Sequence, residues 1–383
     1  MASTTNPKSA LLDGPGLRRL FEAAAAAVEA RVDAINALNV FPVPDGDTGT
    51  NMSLTLRAAL EDVMRSSSDS AGETAAAMAR GALMGARGNS GVITSQLLRG
   101  FSRSVQAKAR LSGADIAEAF QQASAQAYKV VTQPVEGTIL TVIREVAAAT
   151  RQSVGTKASV SDVLEAAERA ASSAVARTPF LLPVLRENGV VDAGAEGLSV
   201  MLSGMSRHSR GEPPIVPAAP IVRAAAFAKG AGHADDGYGF CTEVLVERCT
   251  ASPETLRERL AAMGQSLLVA ADDNLTKVHI HTEKPDDLVA YLAGLGKVLQ
   301  VKADDISKQH REASARRSPA TTAEVGIVAV VAGESMARLY RSLGAIEIVP
   351  GGQTMNPSVQ QLIDAIEQAA AKRVIVLPNN VNV

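Results

Sequence analysis

Along the first two hundred residues, apolar side chains recur every three to four positions, the spacing that gives a helix one buried face. The pattern covers positions 17–38, 52–65, 72–85, 91–106, 113–129, 137–150, 161–177 and 195–207, with alanine filling the gaps. No period-two strand interrupts it, so the expectation is an all-α eight-helix barrel or bundle. After position 238 the period changes. Residues 239–247, 266–270, 277–282 and 297–302 read as strands, and 253–263, 285–295 and 304–312 as helices. That β-α-β-β-α-β order predicts a ferredoxin-like α+β sandwich. Strands at 325–331, 346–349 and 373–377 then alternate with helices at 334–343 and 358–370, the pattern of a parallel α/β sheet. Proline-rich, glycine-rich or polar stretches separate these regions. The expected organisation is multidomain: a helical module at 10–208, a connector at 209–237, an α+β middle domain at 238–312, a second connector at 313–324, and a partial α/β C-terminal domain at 325–383.

Composition narrows the function classes. The chain of 383 residues is 46% hydrophobic and 20% charged, with a net charge of −2, as in ordinary globular proteins. There is no basic excess to hold a polyanion, so nucleic acid is not an expected partner. Aromatic residues make up only 3% and tryptophan is absent, which leaves the cores to Leu, Val, Ile, Ala and Met. The first residues lack the apolar segment of a secretory signal, and no apolar run reaches membrane-spanning length. Two cysteines, Cys241 and Cys249, make no disulfide framework. A cytoplasmic location is the expectation.

The most informative stretch is Leu38-Asn39-Val40-Phe41-Pro42-Val43-Pro44-Asp45-Gly46-Asp47-Thr48-Gly49-Thr50-Asn51-Met52. A helix ends, the chain breaks over two prolines, and two carboxylates follow one residue apart. Gly46 between them permits a tight turn without a Cβ clash. An Asp-rich turn with a Thr or Asn cap accounts for the central residues alone. A turn with two Asp that opens a helix also suits a metal–phosphate ligand. Carboxylates take a hard cation such as Mg²⁺, and the first amides of a helix receive phosphate oxygens.

Three further glycine turns interrupt the helical pattern. Gly85-Ala86-Arg87-Gly88-Asn89-Ser90-Gly91 reads equally as a phosphate loop or as a helix–turn–helix joint. Pro134 to Leu140, with Thr138, and Asn188 to Gly197, with Asp192, Ala193 and Gly194, each open a helix. Four polar turns in one helical module suggest loops gathered around a ligand. In the middle region, Val278-His279-Ile280-His281 puts two imidazoles on one strand face. With Cys241 on a neighbouring strand they make a possible Zn²⁺ set with one open position. The H-x-H pattern alone favours histidines on an exposed face.

The segments Asn36 to Leu56, Gly85 to Gly91, Pro134 to Leu140 and Val191 to Gly197 together resemble the nucleotide-binding module of dihydroxyacetone kinases. They are more closely similar to the ATP-binding subunit of bacterial fatty acid kinase, across essentially all of residues 15–207. The resemblance implies ATP as cofactor and two Mg²⁺ ions held by an acidic set. Asp45 and Asp47 match two members of that set and would be catalytic, and Asn39 falls near the third. It further implies that Thr48, Gly49, Thr50 and Asn51 line the phosphate path, that Gly88, Asn89 and Ser90 lie beside the nucleotide with Thr138, and that Asp192, Ala193 and Gly194 lie near the adenosine end. The middle strands are similar to those that bind zinc in the fatty acid kinase component, at positions matching Cys241, His279 and His281, with Glu243 or water completing the shell. Cys249 is expected to pack, and His208, His233 and His310 to have no site role.

By this resemblance the expected activity is phosphorylation of a fatty acid carboxylate presented by a lipid-binding carrier protein. The carrier would dock on the C-terminal region, and the chain would form a homodimer. Against the family pattern the chain looks truncated at its C-terminus. A kinase for a small, dihydroxyacetone-like substrate, or a non-catalytic nucleotide- and metal-sensing scaffold, are the alternative expectations.

Overall fold

The computed structural model of the protein describes residues 11–66, 68–153, 158–214, 239–272, 274–305, 325–331 and 334–350, together with part of 362–379. The second connector, nearly all of the first, and the turn at 351–358 lie outside the described residues. So do His233 and His310.

The helical region contains α1 (Gly14–Glu29), α2 (Val32–Ala37), α3 (Thr48–Ser66), α4 (Ala71–Gly85), α5 (Gly88–Val105), α6 (Gly113–Val130), α7 (Ile139–Ser153), α8 (Val160–Leu181), α9 (Pro183–Glu187) and α10 (Ala193–Ser209). Local chemistry sets several starts. The side chains of Asp13, Ser70 and Asp192 each accept a first-turn amide, and Ser112 and Ser159 form reciprocal capping boxes with Asp115 and Asp162. Each cap is worth about 1 kcal/mol. The long helices pack in succession, α1 on α3, then each on the next through α8, then α8 on α10 and α10 back on α1. Their shared interior is aliphatic, with Leu17, Met52, Leu56, Met78, Ile143 and Leu198 essentially inaccessible. Burying each such side chain contributes roughly 1.5–3 kcal/mol. Phe21, Phe101 and Phe120 stack edge to face, with centroids 6.0 and 6.2 Å apart.

Three local departures from the sequence reading stand out. The run at 17–38 is two helices, broken at Ala30 and Arg31 without glycine or proline. The five-residue α9 starts at Pro183, a good first helical residue. The expected loop Gly85–Gly91 is mostly helix ends, with only Ala86 and Arg87 between α4 and α5.

In the middle region the order is β1 (Phe240–Glu247), α11 (Pro253–Leu260), β2 (Gln265–Ala271), β3 (Leu275–Thr282), α12 (Pro285–Ala293) and β4 (Lys297–Asp305). Strand β4 runs through Asp304 and Asp305, where a helix was expected, because both pair with β1. The sheet is antiparallel with order β2-β3-β1-β4. One face buries Val244, Val246, Val269, Val278 and Ile280 against Leu256 and Leu260 of α11 and Leu288 and Leu292 of α12. Cys249 packs at the edge of this core. On the opposite face, Leu268 and Ala270 pack against Leu83, Ala86, Val92 and Val130 of the helical region. The helical and middle regions thus form one compact unit, Met1–Ala313.

Ser314–Val383 is a second compact unit. Its described strands, β5 (Gly326–Val331), β6 (Glu347–Pro350) and β7 (Val374–Leu377), form a parallel sheet of order β6-β5-β7, with α13 (Glu334–Ser342) between β5 and β6. Just past β7, Asn379 donates to Val330 O and accepts from the Tyr340 hydroxyl, so it ties the strand end down.

Candidate functional site

The acidic turn joins α2 to α3. Gly46 has φ +70°, a conformation that costs glycine little. Asp45 Oδ1 accepts from the Asn39 amide nitrogen, and Asn39 is itself buried. Burial pushes the Asp45 carboxyl up to about 7, helped by the charge and hydrogen bond of Asp47 and opposed by Asn39. The donor set fits a hard divalent cation that takes oxygen ligands. Asn39 turns its amide nitrogen, not its oxygen, toward Asp45, and so supports the carboxylate.

The first amides of α3 have a partner that sequence reading missed. Asn36 on α2 reaches across and accepts from Gly49 N at 2.7 Å and Thr50 N at 3.2 Å, while its amide donates to the Thr50 hydroxyl at 3.0 Å. Gly49 and Thr50 are therefore satisfied without a phosphate, and neither lines the neighbouring cavity, whereas Thr48 and Asn51 do.

The joint between α4 and α5 lies alongside. Gly88 has φ +58°, and a Cβ there would stand 2.3 Å from Asn51 Nδ2, so a larger residue would be strained and would displace the Asn51 side chain. Ser90 Oγ reaches Thr48 O at 3.5 Å, linking this joint to the acidic turn. The α5 N-cap, Arg87, makes no side-chain cap bond. Instead Gly88 N–H donates at 2.5 Å to Glu243 Oε1, on β1 of the sheet.

On that sheet Cys241 lies opposite His281, and Glu243 opposite His279. The ligand atoms of Cys241, His279 and His281 all lie within 4.8 Å of one another. His279 Nδ1 lies 3.9 Å from Cys241 Sγ, while its Nε2 is buried without a hydrogen-bond partner among the described residues. Burial disfavours charge on both imidazoles. At His279 the Cys241 sulfur and the Glu243 carboxylate outweigh it and lift the group to about 10. At His281 burial is joined by His279's charge, and the value falls to about 3. Thiol and imidazole donors at this spacing fit Zn²⁺. Glu243 stands outside the trio, with Oε1 3.5 Å from His279 Nδ1 and Oε2 3.5 Å from Lys277 Nζ. Burial opposes its charge, but His279, Lys277 and the Gly88 amide hold it down at about 2.

The acidic turn, the α5 start and the Cys–His–Glu cluster face one cavity of about 640 Å³ between the helical region and the inner sheet face. Its wall includes Asn39, Asp45, Asp47, Thr48 and Asn51, then Gly88, Asn89 and Ser90, and also Cys241, His279 and His281. Thr138, Asp192 and Gly194 complete another side. Thr138 Oγ1 donates to Val135 O at 2.7 Å. Asp192 caps α10 through Ala195 N at 2.7 Å, and burial pushes its carboxyl up to about 7. Ala193 is buried behind them, outside the lining. His208 sits in the last turn of α10, also outside the lining. Lys302 and Asp304, an ion pair on β4, contribute to the wall without a clear sequence signal. Lys277 and Glu243 had one, because period two places them beside His279 and Cys241.

Comparison with known proteins follows the same division of the chain. The family model of the DAK2 domain matches residues 42–207, and that of the FakA-like middle domain of fatty acid kinase matches residues 237–313. The FakA-like C-terminal model matches residues 326–383. Protein YloV of Bacillus subtilis is 39% identical over 391 residues, covering 97% of this chain and 71% of its own length. An uncharacterized protein of Staphylococcus epidermidis is 40% identical over 371 residues, covering 92% of this chain and 67% of its own. Among solved structures, the dihydroxyacetone kinase from C. freundii in complex with AMP-PNP and Mg²⁺ superposes with a TM-score of 0.38 at 17% identity, over 54% of this chain and 37% of that one. Three matching domain models in order, and relatives this similar over almost the whole chain, show that the protein belongs to the FakA-like family of fatty acid kinase components.

Proposed function

We propose that the chain is the nucleotide-binding, phosphoryl-transferring component of a fatty acid kinase, making an acyl-phosphate from a fatty acid held by a carrier protein. The observation that carries this reading is the half-buried Asp45–Asp47 carboxyl pair, on the wall of a cavity of about 640 Å³ that also exposes the first turn of α5. ATP is the nucleotide in this reading, and Asp45 and Asp47 hold two Mg²⁺ ions with Asn39 bracing Asp45. Those ions supply charge neutralisation between the phosphates. Thr48 and Asn51 border the phosphate path with Gly49 and Thr50 behind them. Gly88, Asn89, Ser90 and Thr138 flank the nucleotide, and Asp192, Ala193 and Gly194 form its far end. A carboxylate acceptor is already ionised at neutral pH, so no side chain has to remove a proton from it.

Cys241, His279 and His281 hold Zn²⁺ in this reading. The closed ring of long helices supports an eight-helix barrel at 10–208, and the β2-β3-β1-β4 order supports a ferredoxin-like sandwich at 238–312. The parallel unit at 325–383 is assigned to carrier docking, and the working form to a homodimer in the cytoplasm. No helix among the described residues is long and apolar enough to cross a membrane.

The test is ATP-dependent acyl-phosphate formation with a fatty-acid-loaded carrier, alongside Mg²⁺-dependent ATP binding. Asp45→Asn and Asp47→Asn are expected to lose both and to keep their fold. Unchanged ATP affinity in either variant overturns the assignment.

A further inference from the structure

The joint that presents α5 to the cavity is too short to hold itself. Two residues, Ala86 and Arg87, separate α4 from α5, and Arg87 supplies no side-chain cap. Both backbone groups that flank Arg87 are instead held from the sheet. Gly88 N–H donates to Glu243 Oε1 at 2.5 Å, and Lys277 Nζ donates to Ala86 O. Glu243 and Lys277 also pair with each other at 3.5 Å, with side chains only 7% and 4% exposed. The cap of α5 thus comes from a residue 155 positions along the chain.

A buried ion pair is a poor device for stability alone, because desolvation offsets most of its attraction and apolar replacements often serve as well. What this pair does that apolar residues cannot is fix the direction of one peptide joint from both sides. With Gly88 N–H taken, the amides of Asn89 and Ser90 are the next in the first turn of α5, and helix geometry leaves them without intrahelical acceptors. Both residues line the cavity. The same Glu243 carboxylate stands 3.5 Å from His279.

We infer that Glu243 and Lys277 are positioning residues for the nucleotide site: from the sheet they clamp the Ala86–Gly88 joint and aim the α5 amides into the cavity. Nucleotide affinity therefore depends on the docked sheet as well as on the helical region. The inference rests on the nucleotide reading of the cavity. A shift of about 1 Å in a positioning group is enough to cost on the order of 100-fold in a reaction, so a slack joint has a measurable effect.

The experiment measures binding of a fluorescent ATP analogue with Mg²⁺ to the full chain, well below its unfolding temperature, with the melting temperature recorded in parallel. Glu243→Ala removes the acceptor for Gly88 N–H, and its Kd is expected to rise at least tenfold. Glu243→Gln keeps an acceptor oxygen, and its Kd is expected to stay within about threefold of wild type. If Glu243→Ala does not fold, Glu243→Leu combined with Lys277→Met removes both charges together and carries the same tenfold expectation. A purely structural pair would lower the melting temperature of all variants and leave Kd unchanged. Wild-type binding with unchanged affinity in the Ala or Leu/Met variant overturns this inference alone. A wild-type chain that binds no Mg²⁺–ATP overturns the nucleotide reading, and this inference with it.

Discussion

Replacing Asn36 with alanine tests how the acidic turn is supported, because Asn36 caps α3 from a neighbouring helix. Its carbonyl oxygen serves the Gly49 and Thr50 amides at 2.7 and 3.2 Å, and its NH₂ group serves the Thr50 hydroxyl at 3.0 Å. Losing an N-cap costs about 1 kcal/mol. Leaving a second, partly buried amide without an acceptor adds about 1–2 kcal/mol. The Thr50 hydroxyl can turn elsewhere, so its share is small. The total is about 2–3 kcal/mol for Asn36→Ala. At roughly 2–4 °C per kcal/mol, the melting temperature falls by about 4–12 °C. The assay is thermal unfolding of the full chain without added nucleotide or Mg²⁺, followed by a signal from the helical region. Asn36→Asp is the informative partner, since it keeps the acceptor oxygen and places negative charge at a helix N-terminus. It is expected to recover at least half of the loss. Identical melting of wild type and Asn36→Ala, or an Asp variant no better than Ala, would refute the capping account.

Two further outcomes follow from groups on the cavity wall. Burial lifts the Asp192 carboxyl from its ordinary 3.8 to about 7, so the folded state keeps a proton that the unfolded chain releases. Its contribution is fully present below about pH 4 and is lost as pH rises through 7, at up to roughly 1.4 kcal/mol for each pH step of one. Asp192→Asn keeps an acceptor for Ala195 N and should gain stability relative to wild type between pH 5 and pH 8. Denaturant titrations showing the same difference at both pH values would contradict this. Purified protein is expected to carry about one zinc per chain, as tetrahedral thiol–imidazole sites do. Cys241→Ser with His279→Ala should lose it, and elemental analysis showing metal-free wild type would sink the zinc assignment.

How much of this was readable from sequence depended on whether the signal was local. Asp45, Gly46 and Asp47 announce a turn because glycine and the two prolines punctuate the chain there. Cys241, His279 and His281 share a face because strands alternate with period two, and the sheet register brings them together. Asn36 was hidden because it looks like one more helical residue, and the amides that donate to it lie 13 and 14 positions away. The break at Ala30 was hidden because alanine-rich sequence favours helix on both sides of it. The same period-two rule put Lys277 and Glu243 on the inner face, but it says nothing about what that face meets. Only packing on Ala86 and Gly88 explains why charges stand there.

The trans cap at Gly88 also bears on the order in which the protein matures as it leaves the ribosome. Domains fold from the N-terminus as they are synthesised. The ring of long helices closes when Ser209 has been made, while Glu243 and Lys277 are still to come. During that interval the nascent helical region has its carboxylates but an unfinished α5 joint. The cavity wall is completed only after the sheet through Lys302 and Asp304 of β4 has been translated and has docked, so a chain stopped before that point lacks part of the site.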